Sequence, residues 1–248
     1  MTQPVTVQHT RSHDDSAIKR AEHPAKNVEP VGASLGAAAV LLTAAGLFAV
    51  IARTVATKEA EPTDQSVHEW AQEHRTALLD VVTKPITLLS VPLVVVSATA
   101  ALVWWLHHQD RKDAALAIAF TPLAAAALGQ SFTSFFAQRN PPDHPVTGTG
   151  EPTEATFPSG HTTGVTAEAL AIAYILAREK LASPGVLAAL LAWPFVVGVT
   201  RLYRDRHWLS DVLAGWVAGT AVATISVLLY QASQRRSGQE DAARPLSS

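Results

Sequence analysis

The chain has 248 residues, of which 48% are hydrophobic and 16% charged, and its apolar residues gather in long runs rather than being spread along it. A formal net charge of −2 excludes the basic surface that nucleic-acid binding requires. With no cysteine, disulfides and thiolate metal sites are excluded as well.

In chain order, residues 1–29 mix charges with Pro4 and Pro24 and are expected to form a disordered tail. No cleavable signal is visible: the start is polar, and the first apolar run is too long and lacks a small-residue cleavage site. Six nearly charge-free runs follow, Val31 to Ala52, Ile86 to Leu106, Ala114 to Phe136, Gly160 to Ala177, Gly185 to Val199 and Leu209 to Leu229. About 20 apolar residues cross a bilayer core of roughly 30 Å as a helix. The fourth and fifth runs are short and gain length from the polar motifs beside them. Soluble helices carry a polar stripe, and these runs do not. The expectation is an all-α bundle of six transmembrane helices over residues 30–232, with a second disordered tail over 233–248.

Six spans put both ends on one side of the bilayer. Eleven Lys and Arg fall on that side and eight on the other, so the positive-inside bias assigns the termini to the cytoplasm. The segments around 58–85, 137–160 and 201–208 then face outside. Val67, Trp70, Ala71, Leu78, Val81 and Val82 recur at helical spacing in the first of these, which predicts an amphipathic helix either lying on the membrane or packed on the bundle.

Two polar segments stand at the outer ends of apolar runs. In Phe157-Pro158-Ser159-Gly160-His161-Thr162-Thr163, Ser159 is placed to cap a helix and Gly160 lets an anion approach the backbone. Helix N-termini bind phosphate through unpaired N–H groups and the helix dipole, and His161 stands beside them as a proton donor. The second segment runs from Thr200 to Asp211. If His207 and Asp211 lie on one helix they share a face. Asp211 then fixes the tautomer of His207 and frees its other nitrogen to act as a nucleophile, while Arg201 neutralises phosphoryl oxygens. An aspartate just inside an apolar span is costly and marks a functional or partnered site.

These residues resemble the type 2 phosphatidic acid phosphatase (PAP2) superfamily, whose signatures are Lys-x6-Arg-Pro, Pro-Ser-Gly-His and Ser-Arg-x5-His-x3-Asp. The second is complete here, and Arg201, His207 and Asp211 keep the spacing of the third, with Thr200 in place of serine. The resemblance covers about residues 33–232 and implies a PAP2/haloperoxidase-like helical core with no metal and no cofactor. It also implies that His207 is the nucleophile that becomes phosphohistidine, Asp211 its orienting partner and His161 the acid for the leaving oxygen. Ser159, Gly160 and Arg201 would bind phosphate. The implied partner is a membrane lipid phosphate: phosphatidic acid, phosphatidylglycerol phosphate or a polyprenyl diphosphate. Transfer of the phosphoryl group to another hydroxyl, or lipid binding without catalysis, are the competing readings.

The first signature departs from the family. With Arg139 on the family arginine, Phe132 replaces the lysine and Asn140 the proline; aligning the double proline instead puts Thr133 on the lysine and Asn140 on the arginine. Neither register keeps the lysine, and Arg204 or Arg206 is available to replace its charge. Elsewhere, Glu168 is expected to pack or hydrogen-bond inside the bundle rather than to react. Gly215 and Gly219 form a small-xxx-small pair that packs the last helix within the chain. His107 and His108 read as interface anchors.

Overall fold

The structure is a computed structural model that describes residues 31–133 and 157–243. Eight helices and no strand occur among them: α1 (Val31–Ala56), α2 (Glu61–Glu73), α3 (Ala77–Leu89), α4 (Pro92–His108), α5 (Lys112–Thr133), α6 (Gly160–Arg178), α7 (Pro184–Tyr203) and α8 (Leu209–Ala243). The chain is an all-α bundle, as the apolar runs predict. Residues 1–29 lie outside the described residues.

Large apolar side chains point outward, and small residues fill the interior. Leu42, Leu93 and Leu123 are 75%, 78% and 70% exposed, whereas Ala114, Ala117, Ala167 and Ala171 are buried. In water this arrangement would be costly, because exposed apolar surface of that extent drives association. In lipid it is the expected one, since tails solvate leucine and helices attract through close packing of small residues. The chain is therefore a membrane protein.

Length and composition qualify α1, α5, α7 and α8 as spans; the α3–α4 pair, bent by 52° at its break, would be a fifth. The fourth apolar run, Gly160 to Ala177, is α6, which does not qualify by composition. The physical reason is its position. It carries Thr162, Thr163, Thr166 and Glu168 inward, all buried, and its neighbours shield it from lipid. Its 19 residues nevertheless reach about 28 Å at 1.5 Å per residue.

The close approach of α8 to α6 depends on two glycines. A Cβ on Gly215 would meet Thr162 Cβ at 2.9 Å and the Ser159 carbonyl at 3.1 Å; one on Gly219 would meet Thr166 Cβ at 2.5 Å and the Thr163 carbonyl at 2.6 Å. The small-xxx-small pair packs within the chain, as its spacing suggests. Gly219→Ala is accordingly expected to lose about 1–3 kcal/mol through overpacking, read as a lower unfolding temperature in detergent. The helices are further pinned by buried polar pairs: Thr121 donates to Ser226 at 2.9 Å, and Trp216 Nε1 donates to the Pro194 carbonyl at 3.0 Å.

The opposite end of α6 from Gly160 is held by charge. Arg111 pairs with Glu179, and Tyr230 donates to the same carboxylate. Ser233 and Ser237 both donate to Asp113, the second at 3.1 Å. These bonds fall within residues 233–248, the segment expected to form the second tail. The final helix runs on to Ala243 because its polar extension docks on the start of α5. Glu168 receives a hydrogen bond from Thr99 of α4, the packing role expected for it. His108 bonds the Trp104 carbonyl at 2.8 Å and lies 4.3 Å from its ring, consistent with an anchoring role.

The segment between α1 and α4 differs from the single amphipathic helix expected. It is two helices, α2 and α3, separated near His74 and Arg75. The face of α2 turned inward holds Asp64, His68 and Ala71, while Trp70 is 61% exposed, as on a helix whose apolar side meets the membrane. Polar partners in the α7–α8 connection decide which face is buried, and hydropathy alone does not reveal them.

Candidate active site

Ser159 caps α6. Its Oγ accepts from Thr162 N at 3.4 Å and from Thr162 Oγ1 at 2.9 Å, while its carbonyl accepts from Thr163 N at 2.8 Å and Thr163 Oγ1 at 2.9 Å. Ser159 is fully buried, so its hydroxyl is committed to shaping the turn. Gly160, by contrast, is exposed, and a Cβ there would meet nothing within 4 Å. Packing therefore does not require glycine at this position. The space that a side chain would fill lies open beside the first amides of a helix, where an anion is favoured by both the free N–H groups and the dipole.

The second segment arrives from the other side. Arg201 is buried in the last turn of α7, and residues 204–208 form the connection to α8. His207 and Asp211 are thus not on one helix, as the i, i+4 spacing suggests: His207 precedes α8, and Asp211 is its third residue. They meet nonetheless, His207 Nδ1 lying 3.6 Å from Asp211 Oδ2. The contact forms because the Asp211 side chain folds back to accept the Trp208 amide at 2.9 Å, one half of a capping box. Asp211 is fully buried. With Nδ1 turned towards this carboxylate, Nε2 of His207 faces away from it.

One backbone hydrogen bond joins the two segments. Ser159 N donates to the Asp211 carbonyl at 3.1 Å, so the first turn of α8 lies directly against the cap of α6. His161, on the second residue of α6, consequently lies within electrostatic reach of Arg201, His207 and Arg206. Five residues singled out in the sequence, Ser159, His161, Arg201, His207 and Asp211, come to one end of the bundle. Arg139 lies outside the described residues. Phe132 packs its ring 4.7 Å from Phe48, which in turn lies 5.8 Å from Phe157. Where one register of the first signature would put lysine, an aromatic contact is built instead.

Of the two arginines available to replace that lysine, Arg204 turns to α3 and donates to Thr83 Oγ1 at 3.4 Å. Arg206 is exposed and is among the charges felt by His161. The two helix N-termini also differ in charge. That of α8 already holds two carboxylates, Asp211 on the Trp208 amide and Asp64 of α2 on Ser210, where Ser210 N donates to Oδ1 at 2.8 Å and Ser210 Oγ to Oδ2 at 2.7 Å. Among the described residues, that of α6 holds only the neutral Ser159. A helix N-terminus already paired with carboxylates disfavours a further anion, and one without them favours it.

The sequence of residues 113–235, from α5 through the site to α8, matches the PAP2 superfamily. The chain belongs to the PAP2 superfamily. This PAP2 chain is 39% identical over 62 residues to the phospholipid phosphatase-related protein type 2 of Homo sapiens, covering 25% of this chain and 18% of that protein. It is 32% identical over 77 residues to an undecaprenyl-diphosphatase of Sulfolobus acidocaldarius, covering 31% of this chain and 34% of that one. The alignments thus span only a minor part of these curated relatives. The PAP2 fold is similar to that of a transmembrane PAP2 type phosphatidylglycerolphosphate phosphatase from Bacillus subtilis, with a TM-score of 0.65 at 18% identity over 83% of this chain and 98% of that one. It is also similar to Aquifex aeolicus LpxE, with a TM-score of 0.51 at 24% identity over 66% and 94% of the two chains. At these identities the likeness is one of fold.

Sequence reasoning did not single out Asp64 or His68, which contact the segment that carries His207, nor their partners Asp205 and Ser210 within that segment. Asp64 and Ser210 are 146 positions apart. Asp64 lies in no motif, Ser210 stands at an unspecified position of the third signature, and no local signal in the sequence connects them.

Proposed function

We propose that this PAP2 protein hydrolyses a lipid phosphate or diphosphate through a phosphohistidine on His207, with the site at the outer face of the membrane and both termini cytoplasmic. The observation that carries this reading is the Ser159 N–H bond to the Asp211 carbonyl, which sets an open helix N-terminus beside a histidine backed by a carboxylate. The residue roles are those the PAP2 resemblance implies.

The substrate phosphate docks on the first amides of α6 beside Gly160, with Arg201 and Arg206 supplying positive charge. The lone pair of His207 Nε2 attacks phosphorus, the bond from phosphorus to the lipid oxygen breaks, and that oxygen takes a proton from His161, which the negative charge of the bound phosphate holds protonated against burial and the nearby Arg201 and Arg206. His161, now neutral, accepts a proton from water as the water oxygen attacks phosphorus and the P–N bond breaks. Inorganic phosphate leaves and both histidines return to their starting states. Asp211 holds the Nδ1–H tautomer throughout and offsets the charge of the phosphorylated ring. A membrane-embedded bundle with its site at one end suits a substrate whose tail stays in the bilayer.

The test is phosphate release in detergent, with chelator present, from phosphatidic acid, phosphatidylglycerol phosphate and a polyprenyl diphosphate. Release by the native chain and none by His207→Ala is expected; equal release from both, or none from any lipid, would falsify the reading. Adding an acceptor alcohol distinguishes hydrolysis from transfer. Arg201→Ala is expected to lower kcat/KM roughly ten- to a hundred-fold, since a charged hydrogen bond contributes about 1.5–3 kcal/mol. Arg206→Ala, at an exposed position, should lose less than about tenfold. A larger loss at Arg206 than at Arg201 would reverse their assigned importance.

A further inference from the structure

His207 lies on a short connection that begins where α7 closes, Asp205 N donating to the Leu202 carbonyl and Arg206 N to the Arg201 carbonyl, each at 3.1 Å, and α2 touches the chain on both sides of His207. Downstream, Asp64 receives the Ser210 N–H and Oγ–H, one on each carboxylate oxygen. Upstream, His68 Nδ1 lies 3.2 Å from Asp205 Oδ1, and Arg75, just beyond α2, pairs with the other oxygen of Asp205. Gln72 fixes the proton on His68: its Nε2 amide lies 3.0 Å from His68 Nε2. An amide N–H donates, so His68 Nε2 accepts and the proton is on Nδ1, the nitrogen on the Asp205 side. The His68 ring also stands edge-on to Trp208 at 5.7 Å.

We propose that α2 is a clamp that positions the nucleophile, with Asp64 and Asp205 as positioning residues that hold the His207 connection from its two ends. The inference rests on the hydrolase reading for the role of His207. Asp64 is 3% exposed; burying a carboxylate is costly unless its oxygens are satisfied, and here both are, at the N-terminus of α8 where negative charge is favoured. A contact serving only to dock α2 on the bundle could be apolar. A bidentate polar contact fixes orientation as well as distance, and it fixes the residue next to Asp211. Asp205 adopts φ 51°, a left-handed conformation that aspartate tolerates better than most residues, and this turns its carboxylate towards His68 and Arg75. Small misplacement of a reacting group costs roughly a hundred-fold in rate per ångström, so a loop nucleophile needs such anchors.

The test uses the full chain in detergent with three variants. Asp64→Ala removes the downstream anchor, Asp64→Asn keeps an acceptor for the Ser210 amide, and Asp205→Gly removes the upstream anchor with a residue that accepts the left-handed backbone. Asp64→Ala and Asp205→Gly are expected to lower kcat roughly ten- to a hundred-fold with KM nearly unchanged, and Asp64→Asn to recover most of the loss. A second readout needs no activity: the rate at which diethylpyrocarbonate modifies His207, located by peptide mass mapping, should rise several-fold in Asp64→Ala and Asp205→Gly. If Asp64→Ala does not fold, Asp205→Gly and Asp64→Asn carry the comparison. Unchanged kcat, or lowered kcat with His207 modified at the native rate, overturns the clamp. If the native chain releases no phosphate from any lipid, the hydrolase reading falls while the modification rates still decide the clamp.

Discussion

His207→Ala is expected to remove phosphate release altogether, a loss on the order of 10⁴-fold or more, because a covalent route ends when its nucleophile is deleted. His161→Ala should behave differently. Loss of a general acid typically costs about 10²–10⁴-fold, and only where the leaving oxygen needs a proton. A lipid alkoxide needs one; a nitrophenolate does not. With p-nitrophenyl phosphate in place of a lipid phosphate, His161→Ala should therefore regain much of its first step and accumulate phosphoenzyme, since His161 also activates the water that resolves it. Acid-stable label on the protein would count against a histidine intermediate, because phosphohistidine is lost in acid and retained in base. Equal loss of the first-step rate on both substrates, read as the burst of leaving group, would remove His161 from the acid role.

Asp211→Asn is expected to produce the second-largest loss, about 10³–10⁴-fold in kcat, with little effect on folding. The carboxylate does two things that this variant separates. One oxygen accepts the Trp208 amide at 2.9 Å, and the same oxygen lies 3.6 Å from His207 Nδ1. Asparagine keeps an acceptor for the amide, so the helix start survives. It supplies no negative charge to the phosphorylated imidazole and no preference for the Nδ1–H tautomer; in a serine protease triad the corresponding change costs about 10⁴-fold. Asp211→Ala should add a capping loss of about 1 kcal/mol, visible as a lower unfolding temperature. If Asp211→Asn kept native kcat, Asp211 would be only a cap.

The sequence made the two site segments legible because their chemistry is local. A proline-serine-glycine turn at the start of an apolar run is a cap wherever it occurs, and the structure gives Ser159 that role. The His207–Asp211 pair was legible only in part. Their spacing suggested a shared helix face, yet the helix begins between them, and the contact depends on Asp211 folding back to cap Trp208. The same limit explains α2. Periodicity left open whether Trp70 and its apolar neighbours lie on the membrane or on the bundle; the face turned to the bundle holds Asp64 and His68, because Ser210 and Asp205 offer polar partners that no hydropathy pattern encodes.

What the sequence determined by itself is therefore residence in a membrane, the helical class and the residue types gathered in the candidate site. Each of these follows from residue type and short-range spacing: apolar runs long enough for a bilayer, glycine where helices touch, and a histidine with a carboxylate four residues on. The tertiary structure alone decided which arginine stands near His161, that α6 is shielded from lipid, and that α2 grips the His207 connection from both ends. Those outcomes depend on contacts between residues on different helices, Asp64 and Ser210 being 146 positions apart. Packing of separate helices creates such contacts, so no short window along the chain contains them.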